Sequence, residues 1–185
     1  MYSGPAEPTQ RLFFALWPDS GVRDALAGFA HAHIRKQARR VPAANLHITL
    51  AFPGSVSAGV RECLEAAAAD IQGPPFELTI DRVGYWPRPR ILWAGSSHTP
   101  AEVWSLVKAL RTSLLACGLQ PETRPWQAHV TLARKAGHAL PVTELDPICW
   151  SISDFCLVES VTNPSGPVYR IIRRWPLEGQ TLSMG

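Results

Sequence analysis

Apolar and polar positions change their spacing several times along the chain, and each change marks a predicted element. An apolar, aromatic run at 11–18 that ends at a proline predicts a buried strand. Asp19 then caps a helix whose apolar side chains keep to one face up to Ile34 and on through the basic residues that follow. A second strand is predicted at 45–52, and Pro53-Gly54 closes it with a turn.

The middle of the chain alternates between helical and strand patterns. Ser57 is the expected cap of a helix at 58–72, which carries an apolar stripe at helical spacing. Residues 75–86 and 90–95 predict two strands that pair antiparallel.

A third helix has the clearest start and stop signals. Thr99, Pro100 and Glu102 predict a capping box with proline at the first helical position, and the apolar stripe runs to Gly118. Three further strands are expected at 127–135, 151–160 and 168–175.

The order of these elements predicts an α+β fold in which two halves share one core. A chain of 185 residues is about one domain long and can bury a substantial core by itself. We therefore expect 1–185 to form a single domain, with 1–10 as a flexible tail.

Two of the predicted strands carry the same polar pair. His47 and Thr49 open the sequence His-x-Thr-Leu-Ala, and His129 and Thr131 open it again in the second half of the chain. Residues i and i+2 of a strand share a face, so the imidazole and the hydroxyl point the same way in each copy. If the two strands face each other, two imidazoles and two hydroxyls line one cavity.

Such a cavity suits the hydrolysis of a phosphodiester. An imidazole has an ordinary pKa of about 6.5, so one copy can act as general base and the other as general acid near neutral pH. The hydroxyls of Thr49 and Thr131 can donate hydrogen bonds to anionic oxygens. The near-symmetry of the two copies leaves open which histidine is the base.

The two copies differ at the residue that follows the shared motif, where Phe52 stands in the first and Arg134 in the second. An odd offset points away from the His and Thr face of a regular strand, so both side chains reach the cavity only if the strands bend or bulge. Phe52 then stacks on a base and Arg134 contacts phosphate; the alternatives are a core aromatic and a solvated charge. Further stacking candidates, with packing as their alternative, are Trp126, Trp86 and Tyr85.

Composition is ordinary for a globular protein, with 46% hydrophobic and 18% charged residues and a net charge of +3. Four cations precede the first motif, at Arg35, Lys36, Arg39 and Arg40. They favour a polyanionic partner, or they form a solvated helix end at the negative pole of its dipole. Both interpretations stay open.

The cysteines are scattered and the chain start has no apolar segment typical of a secretion signal. We therefore expect a cytoplasmic protein with reduced thiols at Cys63, Cys117, Cys149 and Cys156. No apolar run approaches the length of a membrane span, so no membrane insertion is expected.

The chain resembles the 2H phosphoesterase superfamily, specifically the bacterial RNA 2′,3′-cyclic phosphodiesterases once called 2′-5′ RNA ligases. The resemblance covers 11–177 and rests on HITLAF, HVTLAR, RLFFALWP, RILWAG and YRIIRRWPL. It implies a two-lobed, pseudo-twofold α+β fold, with antiparallel sheets lining a central cleft and helices packed outside.

The resemblance also implies an activity: opening of an RNA 2′,3′-cyclic phosphate to a 2′-phosphomonoester, with no metal and no cofactor. The partner is then an RNA or oligonucleotide with a cyclic phosphate end. Carried over by position, the roles are catalysis by His47 and His129, phosphate binding by Thr49, Thr131 and Arg134, and base stacking by Phe52.

Three other functions are compatible with parts of this pattern. A metal site would need a third ligand, and neither motif strand carries one at ligand spacing. A non-catalytic RNA-binding module would not need both histidines and both threonines. Joining of RNA ends through a 2′-5′ linkage is the same reaction in reverse, and the residues do not separate it from hydrolysis. We expect a monomer, because no patch in the sequence indicates self-association.

Overall fold

The computed structural model describes residues 8–35, 38–140, 144–164 and 166–179. Within these ranges the chain forms nine strands and three α-helices. In chain order they are β1 (Gln10–Leu16), α1 (Ser20–His33), β2 (Arg39–Arg40), β3 (Ile48–Val56), α2 (Ala58–Ala69), β4 (Phe76–Trp86), β5 (Ile91–Gly95), α3 (Ala101–Ala116), β6 (His129–Arg134), β7 (Glu144–Ile152), β8 (Asp154–Asn163) and β9 (Gly166–Pro176).

The strands form one sheet in the order β7-β4-β5-β6-β3-β1-β8-β9, with β2 paired to β6. Neighbouring strands are antiparallel throughout. The first four strands of this order form one lobe and the last four form the other, and β6 and β3 meet at the centre. The predicted α+β fold with two pseudo-symmetric lobes is confirmed.

Two helices cross from one lobe to the other. Helix α1 follows β1 of one lobe but packs on β6 and β7 of the other, and α3 follows β5 but packs on β3. Their buried side chains, among them Leu26 and Leu110, belong to one cluster that also contains Ile48 and Val130 from the central strands. Burial of this shared cluster holds the lobes together, because each helix covers the sheet of the opposite lobe.

The first helix begins where the sequence predicts, but it ends earlier than predicted. The carboxylate of Asp19 accepts a hydrogen bond of 2.9 Å from the backbone N–H of Val22. The helix ends at His33, so the cations that follow do not extend it. Arg39–Arg40 instead form β2 and pair with the end of β6. Lys36 lies outside the described residues.

Pro53-Gly54 is not the turn that the sequence predicted. Strand β3 continues through both residues to Val56, which pairs with Gln10 at the start of β1. Gly54 adopts φ +86°, a conformation that glycine takes without strain, and the irregular pairing of β1 and β3 absorbs the proline. The same pairing places Gln10 in a strand; of the predicted 1–10 tail, residues 1–7 lie outside the described residues.

The third helix also begins differently from its prediction. The predicted capping box has Thr99 at the N-cap and Pro100 as the first helical residue. In the structure Pro100 is the N-cap and Ala101 is the first helical residue, so the helix begins one residue later than predicted. The helix ends as expected near Gly118, which adopts φ +76°. Helix α2 ends at Ala69, three residues before its predicted end.

Strand β7 was not predicted, because Asp146-Pro147 reads as a break in the pattern. It pairs with β4 from Phe76 to Arg82 and thereby forms the outer strand of one lobe. Its proline is tolerated because an edge strand has one side free of ladder hydrogen bonds. No helix within the described ranges is both long and apolar enough to cross a membrane.

The prediction of four reduced thiols is wrong for two of them. Cys63 of α2 and Cys117 at the end of α3 form a disulfide, with their Cα atoms 5.8 Å apart. Helices α2 and α3 pack against each other and bring together two residues that are 54 positions apart in sequence. Sequence spacing alone could not reveal this pairing. Cys149 and Cys156 are free.

We predict that reduction of this disulfide lowers the free energy of unfolding by about 2–4 kcal/mol, because it releases a long loop in the unfolded chain. The measurement is urea denaturation with and without dithiothreitol. The double variant Cys63→Ser, Cys117→Ser is the matched control and should not respond to the reductant. Equal stability of the wild type in both conditions, with four thiols titrated in each, would contradict the assignment.

Candidate active site

The two His-x-Thr copies meet where the lobes join. Ile48 of β3 pairs with Val130 of β6, and both side chains are fully buried. In an antiparallel pair, the residue before a paired position in one strand lies opposite the residue after it in the other strand. His47 therefore faces Thr131, and Thr49 faces His129. Side chains alternate between faces of a sheet, and all four polar groups therefore lie on the face away from the buried pair.

Each motif strand contains a bulge directly after its threonine. Thr49 pairs with Ala15 and Ala51 pairs with Phe14, so β3 has one residue more than β1 at this point. Strand β6 repeats the irregularity against β5. The extra residues are Leu50 and Leu132, and each bulge shows two successive buried side chains.

The bulges bring Phe52 and Arg134 to the polar face. An inserted residue shifts the alternation by one, so the third residue after each threonine lies on the same face as that threonine. Phe52 lines a cavity together with Thr49 and His129, and Arg134 lines a second cavity with Thr131 and His47. All six residues that the sequence singled out are thus placed around one centre.

The ring of His47 is oriented by its own strand. Its Nδ1 lies 2.7 Å from the carbonyl oxygen of Asn45, and its Nε2 lies 3.2 Å from Oγ1 of Thr49. A carbonyl only accepts, so Nδ1 carries the proton in the neutral ring and Nε2 is left to accept. The nitrogen with the lone pair therefore points toward the centre.

Aromatic rings surround His47 on three sides. Trp17 stacks on it with ring centroids 5.3 Å apart and planes 6° apart, and Phe13 lies 4.8 Å away. The edge contact comes from Tyr169 at 5.2 Å. Phe13 of β1 and Trp17 directly after this strand thus support the histidine, while Leu12 and the even-numbered residues of β1 that follow it belong to the main core.

His129 has the same backbone contact and a looser aromatic surround. Its Nδ1 lies 2.8 Å from the carbonyl oxygen of Gln127, which fixes the same tautomer as in His47. Trp86 meets it edge-on at 4.6 Å and packs in turn on Trp93. A Cβ at Gly84 would lie 2.1 Å from the Trp93 ring, so only glycine leaves room for this support.

Burial lowers the pKa of both histidines. The pKa of His47 falls from the ordinary 6.5 to about 4, mainly because burial disfavours the charged ring and also through the charges of His129 and Arg134. Its bond to the carbonyl of Asn45 opposes this shift. The pKa of His129 is also lowered, by burial first and by the charge of Arg134, and its bond to the carbonyl of Gln127 opposes this shift. Both rings are neutral at pH 7 in the free protein.

Two cavities flank the four polar groups. The larger, of about 560 Å³, opens on the side of His129, Thr49, Phe52, Trp86 and Trp126. The smaller, of about 210 Å³, opens on the opposite side, and Arg39 and Arg40 of the basic cluster line it with Arg134. Two cations of the predicted cluster, Arg39 and Arg40, therefore face the site, which favours the polyanion interpretation over the solvated helix end.

The structure also places residues that sequence reasoning did not assign to the site. Trp17 and Tyr169 contact His47; both stand in motifs that carried the resemblance, but nothing in their spacing linked them to the histidine. Of the stacking candidates, Trp126 donates its indole N–H to the carbonyl of Thr49 at 2.9 Å, whereas Tyr85 donates to the carbonyl of Ala136 and packs. Across the described ranges, no three His, Cys, Asp or Glu side chains gather as a metal site.

We predict that His47 makes the protein less stable in acid. In the unfolded chain the ring gains a proton below pH 6.5, but in the folded protein it does so only near pH 4, so stability is lost as the pH falls between these values. Between pH 7.5 and pH 4.5 the free energy of unfolding, measured by urea denaturation, should fall by about 2 kcal/mol less in His47→Gln than in the wild type. Equal losses in both proteins would contradict the low pKa.

Comparisons with known proteins show which family the chain resembles along its length. The family described as the 2′-5′ RNA ligase superfamily matches residues 18–164. The RNA 2′,3′-cyclic phosphodiesterase of Escherichia coli (strain K12) is 35% identical over 93% of this chain and 98% of its own. A protein of the same name from Methanothermobacter thermautotrophicus is 30% identical, over 86% of this chain and 94% of its own.

Solved structures show the same fold. The apo form of E. coli LigT is 32% identical and has a TM-score of 0.85, covering 94% of this chain and all of LigT. The same protein in complex with 3′-AMP is 33% identical, with a TM-score of 0.86 over 91% of this chain and 98% of its own. The resemblance drawn from the motifs is confirmed: the chain belongs to the 2′-5′ RNA ligase superfamily.

Proposed function

We propose that this chain is an RNA 2′,3′-cyclic phosphodiesterase that opens the cyclic phosphate at an RNA end to a 2′-phosphomonoester. The observation that carries the proposal is the central register, which brings two imidazoles and two hydroxyls to one face of the sheet. Similarity to proteins named RNA 2′,3′-cyclic phosphodiesterase along almost the whole chain supports it.

The proposed reaction uses both histidines in opposite roles. One neutral imidazole accepts a proton from water at Nε2 as the water oxygen forms a bond to phosphorus. The other imidazole, protonated, gives its proton to the ribose O3′ as the bond between phosphorus and O3′ breaks. The products are a free 3′-hydroxyl and a 2′-phosphate, and the proton balance is restored by exchange with solvent.

Substrate binding prepares the acid. Both pKa values are low in the free protein because a charged ring is poorly solvated at these positions. An anionic phosphate between the rings favours the charged form and raises both values. Substrate binding thus lets one ring take up from solvent the proton that the leaving oxygen needs.

The hydroxyls and Arg134 hold the charge on phosphorus. Thr49 and Thr131 lie beside the opposite histidine across the strands, so each can donate to a non-bridging oxygen. Arg134 lies close enough to lower the pKa of both rings, and its guanidinium can bind two phosphate oxygens at once.

Phe52 is the proposed platform for the terminal base. Its side chain is 43% exposed, and the guanidinium of Arg11 lies 4.9 Å from its ring centroid. An exposed aromatic ring beside a phosphate site gives a base a stacking surface without selecting one base over another.

We infer that one chain forms a complete site and acts as a monomer and as a single domain, because all six residues come from the same chain. The cytoplasmic location stays a prediction. The disulfide between Cys63 and Cys117 is more typical of oxidising compartments.

The experiment that tests the proposal is hydrolysis of an RNA oligonucleotide with a 2′,3′-cyclic phosphate end, in EDTA. We expect a 2′-phosphate product, and a loss of about 10²–10⁴-fold in kcat for each of His47→Ala and His129→Ala. A wild type that binds the RNA without turnover would leave the binding-module function instead. A 5′-hydroxyl oligonucleotide added to the same assay detects the joining reaction, in which its hydroxyl attacks phosphorus in place of water and forms a 2′-5′ linkage as the bond to O3′ breaks.

The threonines provide a matched pair of variants. Thr131→Val removes the hydroxyl and keeps the shape, whereas Thr131→Ser keeps the hydroxyl. We expect the valine variant to lose about 10-fold or more in kcat/KM and the serine variant to retain most of it, since only the donor matters. Equal activity of both variants in steady-state kinetics would contradict the proposed role of the hydroxyl.

A further inference from the structure

The larger cavity extends beyond the groups that the proposed reaction uses. It runs from His129 and Phe52 to the end of α3 and the loop that follows this helix, where Arg111 and Trp126 line it. Its volume is about 560 Å³, against about 210 Å³ for the cavity on the opposite side. The part near α3 contributes no group to the chemistry at phosphorus.

Aromatic rings continue from this cavity to the surface. Trp126 is fixed by its indole bond to Thr49 and meets Trp104 of α3 edge-on, with ring centroids 5.2 Å apart. Trp104 is 47% exposed, although tryptophan side chains are highly buried on average. Among the few exposed large apolar side chains of the described residues, Phe52 and Trp104 thus stand at either end of one aromatic path.

Cations accompany these rings along one face of α3. Trp104, Lys108 and Arg111 are four and three residues apart, so they lie along the same side of the helix. Lys108 is exposed, and Arg111 donates to the carbonyl of Arg124 in the loop. Arg88 and Arg124 also line the cavity. The carboxylate of Glu122, which lines it too, forms a salt bridge with Arg124. The positive charge along this path exceeds the negative charge.

We propose that Trp126, Trp104, Lys108 and Arg111 form a second binding site, for the nucleotides that precede the cyclic phosphate end of a single-stranded RNA. The inference rests on the proposed function and names its substrate class: an oligonucleotide in preference to a mononucleotide. The terminal base stacks on Phe52, the preceding bases stack on Trp126 and Trp104, and the backbone phosphates lie near Lys108 and Arg111.

The chemistry of this site fits a single strand. Unpaired bases present their faces to aromatic rings, and stacking on such rings does not depend on base identity. Phosphates spaced along the strand need cations spaced along the protein, as they are along α3. A protein partner would bury Trp104 as well, but it would leave hydrolysis of RNA ends unchanged by substitutions here.

The test compares two substrates of the same enzyme. Adenosine 2′,3′-cyclic phosphate reaches only the two-histidine centre, whereas an oligoadenylate of eight nucleotides with the same end also reaches α3. We expect the wild type to have the higher kcat/KM on the oligonucleotide. Trp104→Ala should lower kcat/KM on the oligonucleotide by about 5- to 50-fold and leave that on the mononucleotide within about twofold, since stacking energy is lost only where a base is present.

The cation Lys108 gives an independent readout. Lys108→Gln should weaken oligonucleotide binding and reduce the dependence of log Kd on log salt by about 0.7, the value for one phosphate contact with a single strand. Arg23→Gln on α1 is the matched control, because Arg23 lines neither cavity. It should leave kcat/KM unchanged on both substrates. Trp104→Phe keeps an aromatic ring and should restore most of the oligonucleotide activity.

The outcomes separate this inference from the proposed function. Equal kcat/KM on both substrates in the wild type, or an equal effect of Trp104→Ala on both, overturns the second site and leaves the two-histidine chemistry intact. Absence of hydrolysis of either substrate by the wild type overturns the proposed function instead. An unchanged Kd for the oligonucleotide in Lys108→Gln also overturns the second site.

Discussion

The site depends on one backbone contact, the antiparallel pairing of Ile48 with Val130 at the junction of the two lobes. Because this pair is buried, its neighbours in both strands must point to the opposite face, and each histidine must lie across from the threonine of the other strand. A shift of one strand by one residue would turn its histidine and threonine toward the core and remove them from the polar face. The chemistry therefore requires the same register that the hydrophobic core selects.

The rest of the fold keeps this contact in place. Helices α1 and α3 each pack on the lobe opposite to the one they leave, so the lobes cannot separate without exposing Leu26, Leu110 and their buried neighbours. The bulges at Leu50 and Leu132 then turn the ends of both motif strands, which brings Phe52 and Arg134 to the polar face. One local irregularity, used twice, provides different side chains on the two sides of the site.

The sequence predicts the site better than it predicts the elements around it. A repeated His-x-Thr pair has few structural reasons to recur, and the Leu-Ala that follows each copy already breaks strict alternation, which is a readable sign of a bulge. By contrast, β2, β7 and the course of β3 through Pro53-Gly54 depend on partner strands that no local pattern reveals. The same holds for the stacking of Trp17 on His47 and for the disulfide, because both join segments that only the folded chain brings together.

Both imidazoles are proposed to act on one phosphate. This proposal can be tested by following the ring ¹⁵N resonances of His47 and His129 by NMR while adenosine 2′-monophosphate is added. We expect one equivalent to raise the pKa of both rings together, with a single dissociation constant. A pKa increase confined to one ring, or separate dissociation constants for the two, would show that the histidines do not share a phosphate.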